Sequence, residues 1–371
     1  MAGPTQQRLR AGVSCYDARS FADMKLKTRI HRTFRFASKF VRALLHRHHP
    51  VLVHVIPMRR CNLACGYCNE YDAVSKPVPT EEMLARIDKL GELGTAVVTF
   101  SGGEPMMHPD LDRLVAHGRR RGMIVTLITN GYYLSPERIQ KLNEAGLDHL
   151  QISVDNVEPD LSSMKSLRLL EPKLKWLAEH SDFTVALNSV VGSGIRNPED
   201  ALIVAARARG LGFMTSLGII HDGQGQLRPL SGREMKVYEA LRSMGQRSII
   251  RFNHLFQDKL ARGEANDWSC RAGARYLYVD ERGVVNYCSQ QRGLPGIPLE
   301  RYGPEDIRRE YDTKKSCAAY CTVNCVQQTA ILDNWRSPQK ALALLPRKPA
   351  FLAPQASAPV PAPEEDQVLA G

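Results

Sequence analysis

Between Val51 and Met244, short β-branched apolar runs alternate with longer segments of helical period. This alternation is typical of repeated strand–helix units around a parallel sheet. The runs are apolar along most of their length, as expected when helices cover the sheet. The six predicted strands are residues 51–57, 96–101, 124–129, 149–154, 183–191 and 213–220. Six such units predict an α/β fold, a partial (β/α)6 TIM-like barrel.

Residues that begin and end helices agree with the alternation. Thr80 precedes two glutamates, and Ser135 and Asn197 each precede a proline, as N-terminal residues of helices often do. Gly146 and Gly210 are placed to end helices. In parallel α/β folds the reactive site lies at the carboxyl ends of the strands, so the loops that follow the first four strands should face one another.

Composition limits the class of protein and its domain organisation. The chain has 371 residues, of which 43% are hydrophobic, enough for a large core and about two domains. We predict a basic N-terminal segment (1–50), a barrel (51–250), a cysteine-rich domain (262–331) and a disordered Ala/Pro-rich tail (337–371). No apolar run approaches the ~18 residues of a membrane span, and no signal peptide pattern is present, which predicts a cytoplasmic protein.

Three cysteines follow the first predicted strand in a C-x3-C-x2-C pattern: Cys61, Cys65 and Cys68. A 4Fe-4S cluster held by three thiolates keeps one iron open to an external ligand, whereas clusters that only carry electrons use four cysteines. A zinc site is the alternative, but structural zinc normally takes four protein ligands. The pattern therefore favours a catalytic cluster.

The segment SGGEP follows at residues 101–105, at the end of the second predicted strand. With this order of motifs, the chain resembles the radical S-adenosylmethionine (radical SAM) superfamily. The resemblance implies that Cys61, Cys65 and Cys68 bind three irons and that S-adenosylmethionine chelates the fourth. Reductive cleavage of this cofactor would give a 5′-deoxyadenosyl radical that abstracts hydrogen from a substrate.

The same resemblance implies roles for other residues. Tyr67 would pack near the adenine, or would only pack its own loop. Gly102, Gly103 and Glu104 match the motif that contacts the methionine amino group; glycines let the backbone approach a ligand closely, and a carboxylate pairs with an ammonium.

Polar residues at later strand ends complete the expected cofactor site. In the family such residues contact the ribose hydroxyls and the methionine carboxylate. The candidates here are Ser153, Asp155 and Asn188. Each is equally consistent with a residue that caps a strand or turn.

A second cysteine group lies towards the C-terminus. Cys270 and Cys288 resemble the opening of the SPASM and twitch domains, and Cys317, Cys321 and Cys325 follow in a C-x3-C-x3-C pattern. The chain lacks the seven cysteines of a full SPASM domain. The resemblance implies one auxiliary 4Fe-4S cluster held by four of these five thiols, and a structural zinc site remains open.

The N-terminal segment carries most of the formal net charge of +11. Ten Lys and Arg residues and no Asp or Glu lie between Met24 and Asn69. In a helix over 24–46, one stripe is apolar and the opposite side is basic. The apolar stripe comprises Leu26, Ile30, Phe34, Ala37, Val41 and Leu44, and the basic side comprises Arg32, Arg35, Lys39 and Arg42. Either the helix contacts anionic lipid at a membrane surface, as a peripheral protein would, or the stripe packs on the barrel with a solvated basic side.

These observations predict an enzyme that abstracts hydrogen from a peptide, protein or lipid-like substrate. A reducing partner such as flavodoxin or ferredoxin would supply the electron, and no nucleic acid is expected because RNA-binding motifs are missing. The alternative function is an iron–sulfur electron carrier or redox sensor without turnover. His221 and Asp222, after the sixth strand, form either a proton relay or a plain turn.

Overall fold

The computed structural model describes residues 34–160, 163–192, 195–221, 227–244 and 250–333. The expectations for residues 1–33, for Asp222 and for the tail 337–371 lie outside these ranges. Within them, no helix is long and apolar enough to cross a membrane.

Six parallel strands form the first part of the sheet. They are β1 (Leu52–Met58), β2 (Val97–Gly102), β3 (Ile124–Thr129), β4 (His149–Ser153), β5 (Thr184–Gly192) and β6 (Met214–Ile220). Each lies within one residue of its predicted bounds, because each is an apolar run buried beneath helices. The predicted partial (β/α)6 barrel is confirmed.

Helices alternate with these strands. They are α1 (34–45), α2 (Thr80–Glu92), α3 (Leu111–Arg120), α4 (Pro136–Ala145), α5 (Leu167–His180), α6 (Asp200–Gly210), α7 (Gly232–Ser243) and α8 (Ile250–Ala261). The Ser135 hydroxyl accepts from Arg138 N at 3.2 Å and caps α4, which ends at Gly146 with φ 80°. Asn197, predicted to precede α6 directly, lies two residues before Glu199, which does so, because residues 197–199 form a turn whose carbonyls accept from Asp200 N and Ala201 N.

The sheet continues beyond the barrel into the cysteine-rich region. Three further strands, β7 (Tyr276–Val279), β8 (Val284–Asn286) and β9 (Pro295–Pro298), give the order β6-β5-β4-β3-β2-β1-β7-β8-β9. Strand β7 pairs parallel to β1, while β8 and β9 follow antiparallel. Two short helices, α9 (Pro304–Asp312) and α10 (Asn324–Ile331), complete the described part. The region predicted as a second domain therefore shares its sheet with the barrel.

Side chains of β1 face two different cores, as the two-residue period of a strand requires. Val53 and Val55 pack with the helices that cover the barrel. Ile56 points to the other side and packs with Tyr276, Tyr278 and the buried cysteines of the second group. The strand that leads into the first cysteine group therefore also supports the second.

Helix α1 packs on the amino-terminal end of the barrel through its basic side. Arg35 donates to Met123 O at 3.3 Å and to the buried carboxylate of Asp148 at 3.0 Å. Ala43 is 1% exposed, whereas Phe34 is 74% exposed. For residues 34–45 the interpretation that the apolar stripe packs on the barrel is therefore wrong: the long Arg35 side chain reaches buried acceptors here, and the stripe faces outward.

Candidate active site at the carboxyl ends of the strands

The three cysteines of the first group lie on a loop, residues 59–72, which starts where β1 ends. Backbone hydrogen bonds close its base: Cys61 N donates to Asp72 O at 3.0 Å and Asp72 N donates to Arg59 O at 3.2 Å. A turn in which Cys68 N donates to Cys65 O at 3.0 Å brings the second and third cysteines together. We call residues 59–72 the cysteine loop.

The glycine segment after β2 lies directly against the cysteine loop. Gly103 N donates to Met58 O and Glu104 N donates to Arg60 O, both at 3.1 Å. A Cβ atom added to Gly103 would lie 2.0 Å from Arg59 O. Gly102 has φ 119°, a conformation that side chains disfavour. The motif therefore needs glycine because two backbones meet there.

Glu104 is fully buried and holds the ends of β2 and β3 together. Its carboxylate accepts from Thr129 Oγ1 at 2.7 Å, from Asn130 N at 2.8 Å and from Met106 N at 2.9 Å. Burial raises the pKa of Glu104, although these hydrogen bonds oppose the shift. The described contacts make Glu104 an organiser of the loops, and its pairing with an ammonium group stays a prediction.

Asn130 touches the cysteine loop and was not a predicted site residue. Its side-chain amide donates to Asn62 Oδ1 at 2.8 Å and to Cys61 Sγ at 3.7 Å. Its Oδ1 accepts from Tyr132 N at 3.0 Å, which fixes the orientation of the amide. In the sequence, the only feature that indicates a role for Asn130 in the site is its position at the end of the third predicted strand.

Tyr67 and Asp155 lie in one polar network with two residues that sequence reasoning missed, Ser163 and Lys165. Asp155 Oδ2 accepts from Tyr67 OH at 2.5 Å and from Ser163 Oγ at 2.7 Å. Lys165 Nζ donates to Tyr67 OH at 2.8 Å and lies 3.7 Å from Asp155 Oδ2. Ser163 Oγ also lies 3.5 Å from Cys65 Sγ, so this network reaches the cysteine loop.

The network brings a positive charge close to the cysteine thiols. Burial alone would lower the pKa of Lys165, but the neighbouring Asp155 carboxylate raises it well above its usual value. Burial also raises the pKa of Tyr67, so this side chain stays a neutral phenol. Lys165 is therefore a fixed cation at the edge of the site.

Ser153 and Asn188 lie one row deeper in the barrel than Asp155. They occupy paired positions on β4 and β5. The Asn188 Oδ1 atom accepts from Ser216 Oγ on β6 at 2.8 Å. The structure thus places these two predicted residues side by side, and it places Asp155 against the cysteine loop.

The chemistry of these residues fits an iron–sulfur cluster with a polar ligand. Burial raises the pKa of the Cys61 and Cys68 thiols, so without a metal they would stay protonated, whereas metal coordination favours the thiolate. Asp155 Oδ1 is buried and has no hydrogen-bond partner among the described residues. In the described ranges no three His, Cys, Asp or Glu side chains are grouped to hold a single metal ion.

Four of the five cysteines of the second group pack in one cluster with Tyr276 and Tyr278 of β7, and Cys317 lines a cleft with two of them. Cys270 and Cys288 are buried, and Cys317, Cys321 and Cys325 are half-buried, all as free thiols. Burial, reinforced by the neighbouring Cys270, raises the pKa of Cys288 to about 12. Cys288, Cys317 and Cys321 open onto one cleft, which His221 also lines.

Comparison with known protein families matches residues 55–224 to the Radical SAM superfamily. Residues 55–224 of this chain belong to the radical SAM superfamily. The matched range contains β1 to β6, the cysteine loop and the glycine segment. The recognition made from C-x3-C-x2-C and SGGEP is therefore confirmed, and with it the expectation of a 4Fe-4S cluster and S-adenosylmethionine.

Curated proteins that resemble this chain include enzymes of different kinds. A PqqA peptide cyclase of Granulibacter bethesdensis is 31% identical over 158 residues, 41% of this chain and 42% of that protein. An Fe-coproporphyrin III synthase of Methanosarcina barkeri is 36% identical over 113 residues, 30% of this chain and 28% of that protein. The matched segments span less than half the length of these relatives.

Solved structures share the fold at low identity. Streptococcus suis SuiB has a TM-score of 0.53 and 14% identity, over 74% of this chain and 67% of that one. The structure described as native anSMEcpe with bound AdoMet and Cp18Cys peptide has a TM-score of 0.50 and 15% identity, over 78% of this chain and 97% of that one. At these identities the likeness shows the fold alone.

Proposed function

We propose that this chain is a radical SAM enzyme that reductively cleaves S-adenosylmethionine and abstracts hydrogen from a peptide or protein substrate. The observation that carries the proposal is the convergence of the cysteine loop, the glycine segment and the Tyr67–Asp155–Lys165 network at one end of the barrel. Cys61, Cys65 and Cys68 would hold the cluster, which would supply the one electron that reductive cleavage of S-adenosylmethionine requires. A flavodoxin or ferredoxin is the proposed source of this electron.

The polar network is proposed to position the cofactor. Asp155 Oδ1 is a buried acceptor without a described partner, so it suits a ribose hydroxyl donor. Lys165 suits the methionine carboxylate, since a cation pairs with an anion best where water is excluded. Ser153 and Asn188 would complete the polar wall deeper in the barrel.

The loops around the cysteines are proposed to approach the methionine end of the cofactor. Gly102 and Gly103 let the glycine segment lie directly against the cysteine loop, so both segments border the same end of the site. The Asn130 amide donates to Cys61 Sγ, and hydrogen bonds to cluster sulfurs tune the reduction potential. Tyr67, held by Asp155 and Lys165, is proposed to pack its ring near the adenine.

An auxiliary 4Fe-4S cluster is proposed on Cys270, Cys288, Cys317 and Cys321. Burial and the charges of Cys288, Cys270 and Cys317 together raise the pKa of Cys321, so these four thiols lie close to one another. For Cys325, burial alone raises the pKa to about 11, without a contribution from another cysteine. Cys317 contributes to the raised pKa of Cys270, Cys288 and Cys321, whereas Cys325 contributes to none of them, so we propose Cys325 as the thiol that is not a ligand.

A peptide substrate is favoured over a lipid-like one. The name of one curated relative specifies a peptide, and one structural neighbour is described with a bound peptide. The outward apolar stripe of α1 lies at the opposite end of the barrel from the cysteine loop, so it offers a lipid no path to the site. An electron carrier without turnover would not need the glycine segment or the cofactor network.

The test is anaerobic reconstitution with iron and sulfide, followed by a chromatographic assay for 5′-deoxyadenosine after adding dithionite and S-adenosylmethionine. We expect cleavage by the wild type and by the control Cys325→Ala, but none by Cys65→Ala. If the reconstituted wild type neither cleaves S-adenosylmethionine nor changes its electron paramagnetic resonance signal on adding it, the proposal is wrong.

A further inference from the structure

Helix α1 has an unusual orientation for an amphipathic helix on a globular protein, because its polar side faces the protein. Arg35 reaches Asp148, and the Lys39 side chain is half-buried. Arg275, which is fully buried, donates to Ala43 O and to His46 O, the latter at 2.7 Å, and so satisfies carbonyls at the end of the helix. These contacts fix the rotation of α1 about its axis.

The fixed rotation turns a broad apolar surface outward. At 100° per residue, the outward-facing side chains cover about half of the helix circumference. They are Phe34 (74% exposed), Phe36 (42%), Phe40 (53%), Val41 (52%) and Leu45 (70%). Single exposed apolar residues are ordinary, but a contiguous patch with three phenylalanines marks an interaction surface. We call these five residues the α1 stripe.

Basic residues surround the α1 stripe. Arg42 and Arg47 are exposed on or just after the helix, and Arg120 is exposed in the last turn of α3, which ends on the same side of the barrel. In the sequence, Lys25, Lys27, Arg29 and Arg32 precede the helix, and no Asp or Glu occurs from Met24 to Asn69. An apolar stripe with a basic border is complementary to an anionic lipid surface.

The position of the α1 stripe separates it from the chemistry. Helix α1 contacts Met123 and Asp148, which directly precede β3 and β4. The cysteine loop and Asp155 follow the carboxyl ends of β1 and β4, at the other end of the barrel. A surface that binds α1 therefore leaves the candidate active site facing away from it.

We propose that the α1 stripe docks the protein on an anionic membrane surface, with the cysteine loop turned towards the aqueous side. In this arrangement the stripe enters the interfacial region of the bilayer and the basic border contacts lipid phosphates. The membrane is then a place of attachment and the substrate arrives from water. This inference stands on the geometry of α1 and does not depend on the proposed reaction.

The test is co-sedimentation of the full chain with vesicles of phosphatidylcholine, with and without phosphatidylglycerol. We expect binding only to the anionic vesicles, weakened by salt, and a loss of roughly tenfold or more in partitioning for the double variant Phe34→Ser/Phe40→Ser. The matched control is Ile203→Ser, which changes an equally exposed apolar side chain (51%) on α6. Hydrogen exchange with anionic vesicles should protect residues 34–48 and leave residues 59–72 unchanged.

Four results would overturn the proposal. One is no binding to anionic vesicles, and another is equal binding by the double variant and the control. A third is a wild-type dimer, measured by light scattering, that the double variant converts to a monomer, because a second copy would then cover the stripe. The fourth is a melting temperature far lower in the double variant than in Ile203→Ser, since the stripe would then be packed within this chain.

Discussion

Replacing Gly103 by alanine tests whether the cysteine loop and the glycine segment must touch. The new Cβ would lie 2.0 Å from Arg59 O and 2.6 Å from Arg60 O, whereas ordinary contacts begin at 3.4 Å. The nearest atoms are backbone, so no side chain can rotate away. The two segments must separate by about 1.4 Å at this point.

This separation has a calculable effect. It breaks or stretches the hydrogen bonds from Gly103 N to Met58 O and from Glu104 N to Arg60 O. Each contributes about 1 kcal/mol, and the forced overpacking adds about 1–3 kcal/mol, so the free energy of unfolding should fall by about 3–5 kcal/mol. The cysteines would also move relative to the glycine segment, and we expect less iron to be retained after reconstitution.

The assays are urea unfolding of the protein without iron and iron content of the reconstituted protein. Gly66→Ala is the matched control, because Gly66 lies in the same cysteine loop and a Cβ there meets nothing within 4 Å. Its stability should stay within about 1 kcal/mol of the wild type. If Gly103→Ala matches Gly66→Ala in both assays, the contact between the two segments does not have the importance assigned to it.

Asp155→Asn should weaken S-adenosylmethionine binding by roughly tenfold or more, because the anion between Tyr67 and Lys165 is lost. The affinity is measured by titration of the reconstituted protein. The control Glu158→Gln, an exposed change in the same loop, should bind as the wild type does, and equal affinities of the two variants would contradict the assignment. In iron analysis of the reconstituted protein, Cys317→Ser should lose about four irons per chain, whereas Cys325→Ser should keep them. The reverse result would make Cys325 the ligand and Cys317 the thiol that is not one. Burial lowers the pKa of His54 from 6.5 to about 4. Between these two pH values the unfolded chain therefore binds a proton at His54 that the folded chain does not bind. His54 should therefore contribute a fall of about 3 kcal/mol in the free energy of unfolding as the pH drops from 6.5 to 4, and His54→Leu should remove this contribution; an unchanged curve would refute it.

The barrel could be predicted because each strand is a nearly continuous apolar run. Such a run can be recognised without knowing which strands it pairs with. The glycine and cysteine motifs could be placed for the same reason, since they follow such runs. Strand β7 could not be predicted: it has only four residues and pairs with β1 from far along the chain. A short strand of this kind is determined by its neighbour and not by its own sequence period.

The direction in which α1 faces is a second feature that the sequence left undecided. Periodicity shows that a helix has two unlike sides, but it does not say which side meets the protein. The buried carboxylate of Asp148 and the carbonyls bound by Arg275 decide this, and neither belongs to the helix. Lys165 was missed in a similar way, because its role depends on Tyr67, nearly a hundred residues earlier.

The pairing of β1 with β7 has a consequence for how electrons would cross the protein. Leu52 pairs with Tyr276 and Val55 with Val279, and β1 runs directly into the cysteine loop while β7 follows Cys270 by a few residues. A shift of one residue would turn Tyr276 and Tyr278 away from the core they share with Cys270 and Cys288. The distance between the two cysteine groups, across which an electron would pass, is therefore set by a β-ladder and not by a linker.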